Sequence, residues 1–339
     1  MTAAANAPST HGPKPVVSVI IPTYNAARWL EQTLRAVLAQ TMQALEIIVV
    51  DDGSSDRSTD LARAVAPAAR VLTQANAGVS AARNAGLAVA HGRYVIFLDQ
   101  DDVWHPLQLE RQVQWLESHP DCGAAVTPYR HWYPSGEAAH GGYALPATLW
   151  PVDVGLAVSP DFTGWVFHQF LFDCWALTSG TLLRRDLVLA SGGFDVSLSY
   201  SEDWDLWLRL SQRTQFALLA WPPILYRQHP VQGSRAVRQR DFRLELLTKY
   251  ARLHGLASRD GRAIDPVRFS ELLAKYQFEF GHHHLVHGDR LTAVKSLFSA
   301  WRRRPRHGRR LALALAGALG WRPRDKAQPP AVAMQKEAR

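Results

Sequence analysis

The chain has 339 residues, 47% of them hydrophobic and 20% charged; this is the make-up of an ordinary globular protein with a sizeable core and excludes the disordered and fibrous classes. Its formal charge of +8 is unevenly placed: residues 299–339 hold 11 Lys/Arg against 2 Asp/Glu, leaving 27 against 28 in residues 1–298. The body is therefore neutral, which excludes it as a nucleic-acid surface and leaves any polyanion or anionic lipid to the tail.

Residues 1–15, ending Gly12-Pro-Lys-Pro15, lack the apolar segment of a signal peptide and read as a flexible leader. Residues 16–21 form a β-branched apolar run closed by Pro22, the pattern of a buried parallel strand. A helix is predicted over 27–40, where Leu30, Leu34, Val37 and Leu38 share one face and Asn25 stands as N-cap. Further strands are expected at 46–50, 70–73 and 94–98, with a helix near 79–90. This alternation predicts an α/β fold with a mostly parallel central sheet flanked by helices, in which ligands bind at the carboxyl ends of the strands. Tyr24-Asn25, Asp51-Asp52 and the run from Asp99 to Asp102 each follow a strand and should converge on one crevice. Gly53 and Gly78 read as tight turns beside it.

Beyond residue 130 the pattern loosens, then resumes with an apolar segment at 181–183, a helix over 203–210 and helices from 241 onward. Cys122 and Cys174, without metal-finger spacing, indicate neither a disulfide framework nor structural zinc, and a reducing cytoplasm fits. The apolar stretch 311–320 is half the roughly 20 residues a bilayer span needs, so no transmembrane helix is expected. Beside the basic run 302–310 it suggests a peripheral anchor on the inner, anionic leaflet, with packing on the body as the alternative. The run His282-His-His284 has no acidic partner at useful spacing and reads as incidental.

Asp99-Gln-Asp101-Asp102 offers hard oxygen ligands of the kind that hold Mg or Mn on a nucleotide diphosphate, and a solvated acidic turn is the competing reading. Glu202, Asp203 and Asp205 fall in a helix's first turn, where the dipole favours acids in any case.

Six segments in order carry a family resemblance: Val17-Ser-Val-Ile-Ile-Pro-Thr-Tyr-Asn25, Ile48-Val-Val-Asp-Asp-Gly-Ser-Ser-Asp56, Asn76-Ala-Gly-Val-Ser-Ala-Ala-Arg-Asn-Ala-Gly86, Phe97-Leu-Asp-Gln-Asp-Asp102, Gly192-Gly-Phe-Asp195 and Ser201-Glu-Asp-Trp-Asp-Leu-Trp207. Together they make residues 16–235 resemble the family 2 glycosyltransferases, inverting enzymes with the GT-A fold. The resemblance implies a nucleotide-binding half (16–105) and an acceptor half (106–235), followed here by a helical extension (236–298) and the basic tail (299–339). It implies that Pro22 and Tyr24 line the base pocket with Asn25 adjoining, and that Asp52 accepts from the nucleobase beside Asp51. Asn76 and Arg83 would be further nucleotide contacts. The divalent metal, Mn or Mg, would rest on Asp101, with Asp99 and Asp102 sharing ribose and metal contacts. Asp203 matches the base, and Trp204 and Trp207 would wall the acceptor sugar or serve as core. Arg227 and Ser234 would hold phosphate, with His229 a further metal ligand. The expected partners are a nucleoside-diphosphate sugar and a glycan or lipid-linked acceptor. The alternatives are a nucleotidyltransferase-like enzyme and a membrane- or nucleic-acid-binding module driven by the tail.

Overall fold

The computed structural model describes residues 14–134, 150, 155–229, 232, 237–305 and 308–321. Its first half alternates strand and helix: β1 (Val17–Thr23), α1 (Leu30–Leu38), β2 (Leu45–Asp51), α2 (Ser58–Val65), β3 (Arg70–Thr73), α3 (Val79–Val89) and β4 (Tyr94–Phe97). Then come β5 (Val103–Trp104), α4 (Gln108–Ser118), β6 (Cys122–Val126), β7 (Tyr129–Trp132), α5 (Phe167–Phe170), β8 (Thr181–Arg184), α6 (Arg185–Ala190), α7 (Glu202–Leu210), β9 (Gln215–Leu218) and β10 (Ile224–Arg227). Four helices follow: α8 (Phe242–His254), α9 (Pro266–His287), α10 (Arg290–Arg303) and α11 (Gly308–Ala318).

The main sheet has seven strands in the order β3-β2-β1-β4-β8-β6-β9. All neighbours are parallel except β8, which runs antiparallel to both β4 and β6. A second sheet, β5-β10-β7, stands apart. All seven residues of β1 are buried, because helices cover both faces of the sheet. Val17, Val19 and Ile21 pack with Leu30 and Leu34 of α1 and Leu109 of α4. Ile20, on the opposite face, packs with Ile48, Val95, Leu87 of α3 and Leu206 of α7. Each such fully buried aliphatic side chain contributes about 2 kcal/mol of transfer free energy.

Two local expectations are corrected. The helix begins at Leu30, not at 27, and Asn25 does not cap it: its φ is +49°, and its Oδ1 accepts from the Ser55 backbone N–H at 2.9 Å. Leu38, assigned to the apolar face, is 50% exposed. Asn25 instead ties the loop after β1 to the loop after β2, where both loops approach the cleft.

The C-terminal helices dock on the body. Asp205 of α7, almost wholly buried, accepts from the Tyr250 hydroxyl of α8 at 2.7 Å and pairs with Arg209 at 2.8 Å. Leu246, Leu247, Leu272 and Tyr276 then extend the core on the α3 and α7 face. His284 is buried and structural: its Nδ1 accepts from the Asp289 N–H, and Nε2 meets the Arg238 carbonyl at 2.7 Å. Helix α10 runs through position 298/299. In α11, Ala314 is buried against Leu285 and Leu297 while Leu315 is exposed, as are Leu319 and Trp321 just beyond the helix. No helix among the described residues is long and apolar enough to cross a membrane.

Candidate active site

A cleft of about 1550 Å³ opens at the carboxyl ends of β1, β2 and β4 and extends to the C-terminal helices. On the side formed by the strand ends lie Pro22, Tyr24, Asp52 and Asn76, each an expected nucleotide contact. Tyr24 is 48% exposed, with its ring available to stack. Gln100 holds it there, accepting from the Tyr24 N–H at 2.7 Å and donating to its carbonyl at 3.2 Å. Asp52 is buried and accepts from the N–H groups of Ala77 (2.9 Å) and Gly78 (2.8 Å) and from Gln74 Nε2 (2.7 Å). These bonds fix the loop into α3, where Gly78 takes φ +90°, a left-handed conformation open to glycine; Gly53, at φ +78°, turns the chain after β2 in the same way. Asp51 does not line the cleft; its Oδ2 accepts from the Ser54 N–H at 3.3 Å.

The acidic run separates by direction. Asp99 and Asp101 line the cleft. Asp101 meets His229, Oδ2 to Nε2, at 2.7 Å, and the His229 ring stacks on Trp29 at 5.5 Å between centroids. Asp102, expected to share the metal, is 0% exposed and lies beneath the cleft. Its carboxylate accepts from Ser179 Oγ at 2.6 Å and the Arg227 N–H at 3.3 Å. Burial, then the neighbouring Asp101 charge, hold its pKa well above the usual carboxylate range. Its role is to tie β10 and the start of β8 to the end of β4.

Arg227, expected to hold phosphate, is also fully buried and outside the cleft. Its Nε donates to the Asp101 carbonyl at 2.8 Å, its guanidinium donates to Gln32, and it lies between the rings of Trp29 (4.7 Å) and Trp132 (4.3 Å). Burial lowers its pKa to about 10. It therefore buttresses the Asp101–His229 pair from behind. Ser234 lies outside the described residues.

Arg83 is buried and spans the two sides of the cleft, donating to Asp99 Oδ1 and Glu202 Oε1, each at 2.7 Å. Burial alone would lower its pKa, but Asp99 and Glu202 outweigh burial and hold the guanidinium above its ordinary value. Arg83, expected as a nucleotide contact, lines the cleft and in this structure bridges its two sides. Next to Glu202, Asp203 lines the cleft with its Oδ1 accepting from the Trp204 N–H at 2.7 Å. Burial, reinforced by the Glu202 carboxylate, pushes Asp203 up to about 7. Trp204 and Trp207 are chiefly core, their indole N–H groups donating to the carbonyls of Phe170 (2.6 Å) and Ala176 (2.9 Å).

A divalent metal fits one place by donor chemistry. Asp101 offers a carboxylate and His229 an imidazole nitrogen, and the pair faces the cleft. Among the described residues no group of three His, Cys, Asp or Glu is arranged to hold a metal. Among the described residues this pair would supply two ligands, the arrangement of an ion that keeps water and takes its remaining oxygens from a phosphate. Sequence reasoning missed Gln100, Trp29, Thr178 and Ser179; the last two bond Asp99 and Asp102 from 79 and 77 residues away, and nothing in their local sequence marks them.

Comparison with known proteins gives a consistent result. Residues 18–150 match the profile of Glycosyl transferase family 2. An uncharacterized glycosyltransferase of Rickettsia prowazekii (strain Madrid E) is 30% identical over 197 residues, 58% of this chain and 58% of that protein, so the matched stretch is less than two thirds of the relative's length. Among solved structures, S. aureus TarS 1–349 in complex with UDP-GlcNAc aligns with TM-score 0.58 and 18% identity, covering 89% of this chain and 87% of that one. Mannosyltransferase PcManGT from Pyrobaculum calidifontis, in complex with GDP-Man and Mn2+, aligns with TM-score 0.51 and 20% identity, covering 91% and 87%. At these identities the structural likeness establishes the fold, which is of the GT-A type.

Proposed function

We propose, from the match of residues 18–150 to glycosyl transferase family 2, that this chain is a metal-dependent inverting transferase of that family. It moves a sugar from a nucleoside-diphosphate donor to a hydroxyl of a glycan or lipid-linked acceptor, in cell-surface polysaccharide synthesis. The observation that carries the reading is Asp203: a carboxyl raised to about 7 shares one cleft with Tyr24 and Asp52 and with the Asp101–His229 pair. A base near the working pH takes a proton most effectively.

In this reading the acceptor oxygen attacks the anomeric carbon from the Asp203 side and its proton passes to the Asp203 carboxylate. The bond to the nucleoside diphosphate breaks on the opposite face, which inverts the centre. Tyr24 stacks on the base and Asp52 shapes the loop that encloses it. Asp101 and His229 would hold a divalent ion, which would supply positive charge for the departing diphosphate. Arg83 holds Glu202, and so the start of α7, against Asp99. The proposed setting is the cytoplasmic membrane face, supported by exposed Leu315 on α11 and Leu319 and Trp321 just after it.

Calorimetry with nucleoside diphosphates and Mn, followed by donor-turnover assays, tests the reading. The wild-type chain should bind a nucleoside diphosphate only with the metal. Asp203→Asn should keep that binding and lose about 10²–10⁴-fold in transfer, the range of a positioned general base. Absence of metal-dependent nucleotide binding, or retained transfer in Asp203→Asn, sinks it.

A further inference from the structure

The wall of the cleft farthest from β1 is made by the C-terminal helices, and it is cationic. Arg238, Arg243 and Arg268, with Lys275 and Arg310, all line it. Glu271, Glu279 and Asp173 face the same space, but Glu279 is met by Arg243 at 3.2 Å and Lys275 at 3.8 Å, and Glu271 is paired with Arg304. The wall therefore keeps an excess of positive charge. Aromatic rings stand among these cations: Arg238 lies 5.0 Å over Tyr200, Arg243 4.5 Å over Tyr276 and Arg268 5.8 Å over Phe172, whose ring is 42% exposed. Tyr200 lies within electrostatic reach of Asp203 on one side and of Arg238 and Arg243 on the other, which places the wall beside the base.

We propose that this wall is an acceptor subsite for an anionic carbohydrate, a glycan carrying carboxylate or phosphate near the hydroxyl that receives the sugar. The inference rests on the transferase reading above and adds the acceptor class to it. Guanidinium groups pair with carboxylate or phosphate in a bidentate fork, and an exposed ring such as Phe172 offers a flat apolar face to a pyranose. In the reading above, the donor's diphosphate is met by the ion that Asp101 and His229 would hold, at the end of β4. A bilayer surface does not enter a concave cleft, so a membrane is not the ligand of this wall.

The test uses the full chain and measures two bindings separately. Calorimetry compares three probes of similar length: maltotetraose, tetragalacturonate and an oligomer of glycerol phosphate. A second titration follows UDP and GDP with Mn. Arg268 and Lys275 are exposed, so Arg268→Gln/Lys275→Gln should fold, and Arg268→Lys/Lys275→Arg serves as the charge-preserving control. At least one anionic probe is expected to bind about tenfold more tightly than maltotetraose, and the Gln pair should remove that preference while the control keeps it. Nucleoside-diphosphate binding should be the same in all three proteins. Equal affinity for neutral and anionic probes overturns the proposal, as does a Gln pair that loses nucleotide binding instead, since the wall would then hold the donor. Binding to vesicles of phosphatidylglycerol and phosphatidylcholine that depends on Arg268 and Lys275, with no glycan bound, also overturns it. Failure of the wild-type chain to bind any nucleoside diphosphate would instead sink the transferase reading, whatever the glycan probes do.

Discussion

Asp203 must be ionised to accept a proton, so its environment sets a pH dependence. With the carboxyl at about 7, transfer at saturating substrate should rise with pH through about 7 and level off above it; a flat profile from pH 5 to 9 would remove Asp203 from the base role. Stability runs the other way. The folded value lies above the ordinary one near 4, so the protonated form contributes stability that is fully present below about pH 4 and lost as pH rises through about 7. Arg83 governs the same group from outside. Arg83→Met leaves the part-buried carboxylates of Asp99 and Glu202 without their cation, which should destabilise the fold by about 1–3 kcal/mol in urea titration. It should also move the rising limb of the activity profile to higher pH, because Glu202 then repels charge on Asp203 unopposed. A purely structural role for Arg83 would lower stability without moving that limb. Little of this was visible in sequence: Arg83 and Glu202 are 119 residues apart, and an Arg on an Ala-rich helix is ordinarily a solvated side chain. Asp101 and Asp102 were inseparable for a related reason, since neighbouring positions leading into a strand point opposite ways and only the fold says which way is the cleft.

Among the elements, β1, β2 and β4 were legible because burial on both faces demands unbroken apolar runs, and their carboxyl ends led to most of the cleft. Strand β8 showed only as an apolar segment at 181–183, with nothing to mark its antiparallel direction, and the small sheet β5-β10-β7 was not read, since no unbroken apolar run marks Val103–Trp104, Tyr129–Trp132 or Ile224–Arg227. The C-terminal helices begin where local chemistry says they should: Asp241, Asp265 and Asp289 each accept from a backbone N–H three residues on, at 3.2, 2.9 and 2.6 Å. What sequence did not reveal is how closely α9 and α10 approach. A Cβ on Gly281 would meet Leu297 Cγ at 2.9 Å and its backbone nitrogen at 3.0 Å, so Gly281→Val has to push the helices apart. We expect about 1–3 kcal/mol of destabilisation, the usual cost of overpacking, with nucleoside-diphosphate binding unchanged and acceptor-side affinity reduced. An unaltered melting temperature would show that the helix pair is looser than its packing indicates.

On the scale of the whole molecule, the excess charge that composition assigned to residues 299–339 is only part of the story. Four of the five cations lining the far wall precede that segment, and they escape notice because acids at other positions cancel them in any regional sum. A net charge near zero over residues 1–298 is compatible with a strongly polarised cleft.

The cleft joins residues 22–24 to Arg310, and this has a bearing on how the molecule comes into being. The strand ends that form the donor side leave the ribosome well before α8, α9 and α11 exist. The two sides of the cleft are therefore supplied in order, the strand ends first and the cationic wall last. Domains fold as units during synthesis, and one core joins Ile20 of β1 to Leu246 and Leu272 of the last helices, so the cleft takes its final form only when those helices settle. A chain interrupted after β10 would lack Arg243, Arg268, Lys275 and Arg310, and with them the wall that faces the strand ends.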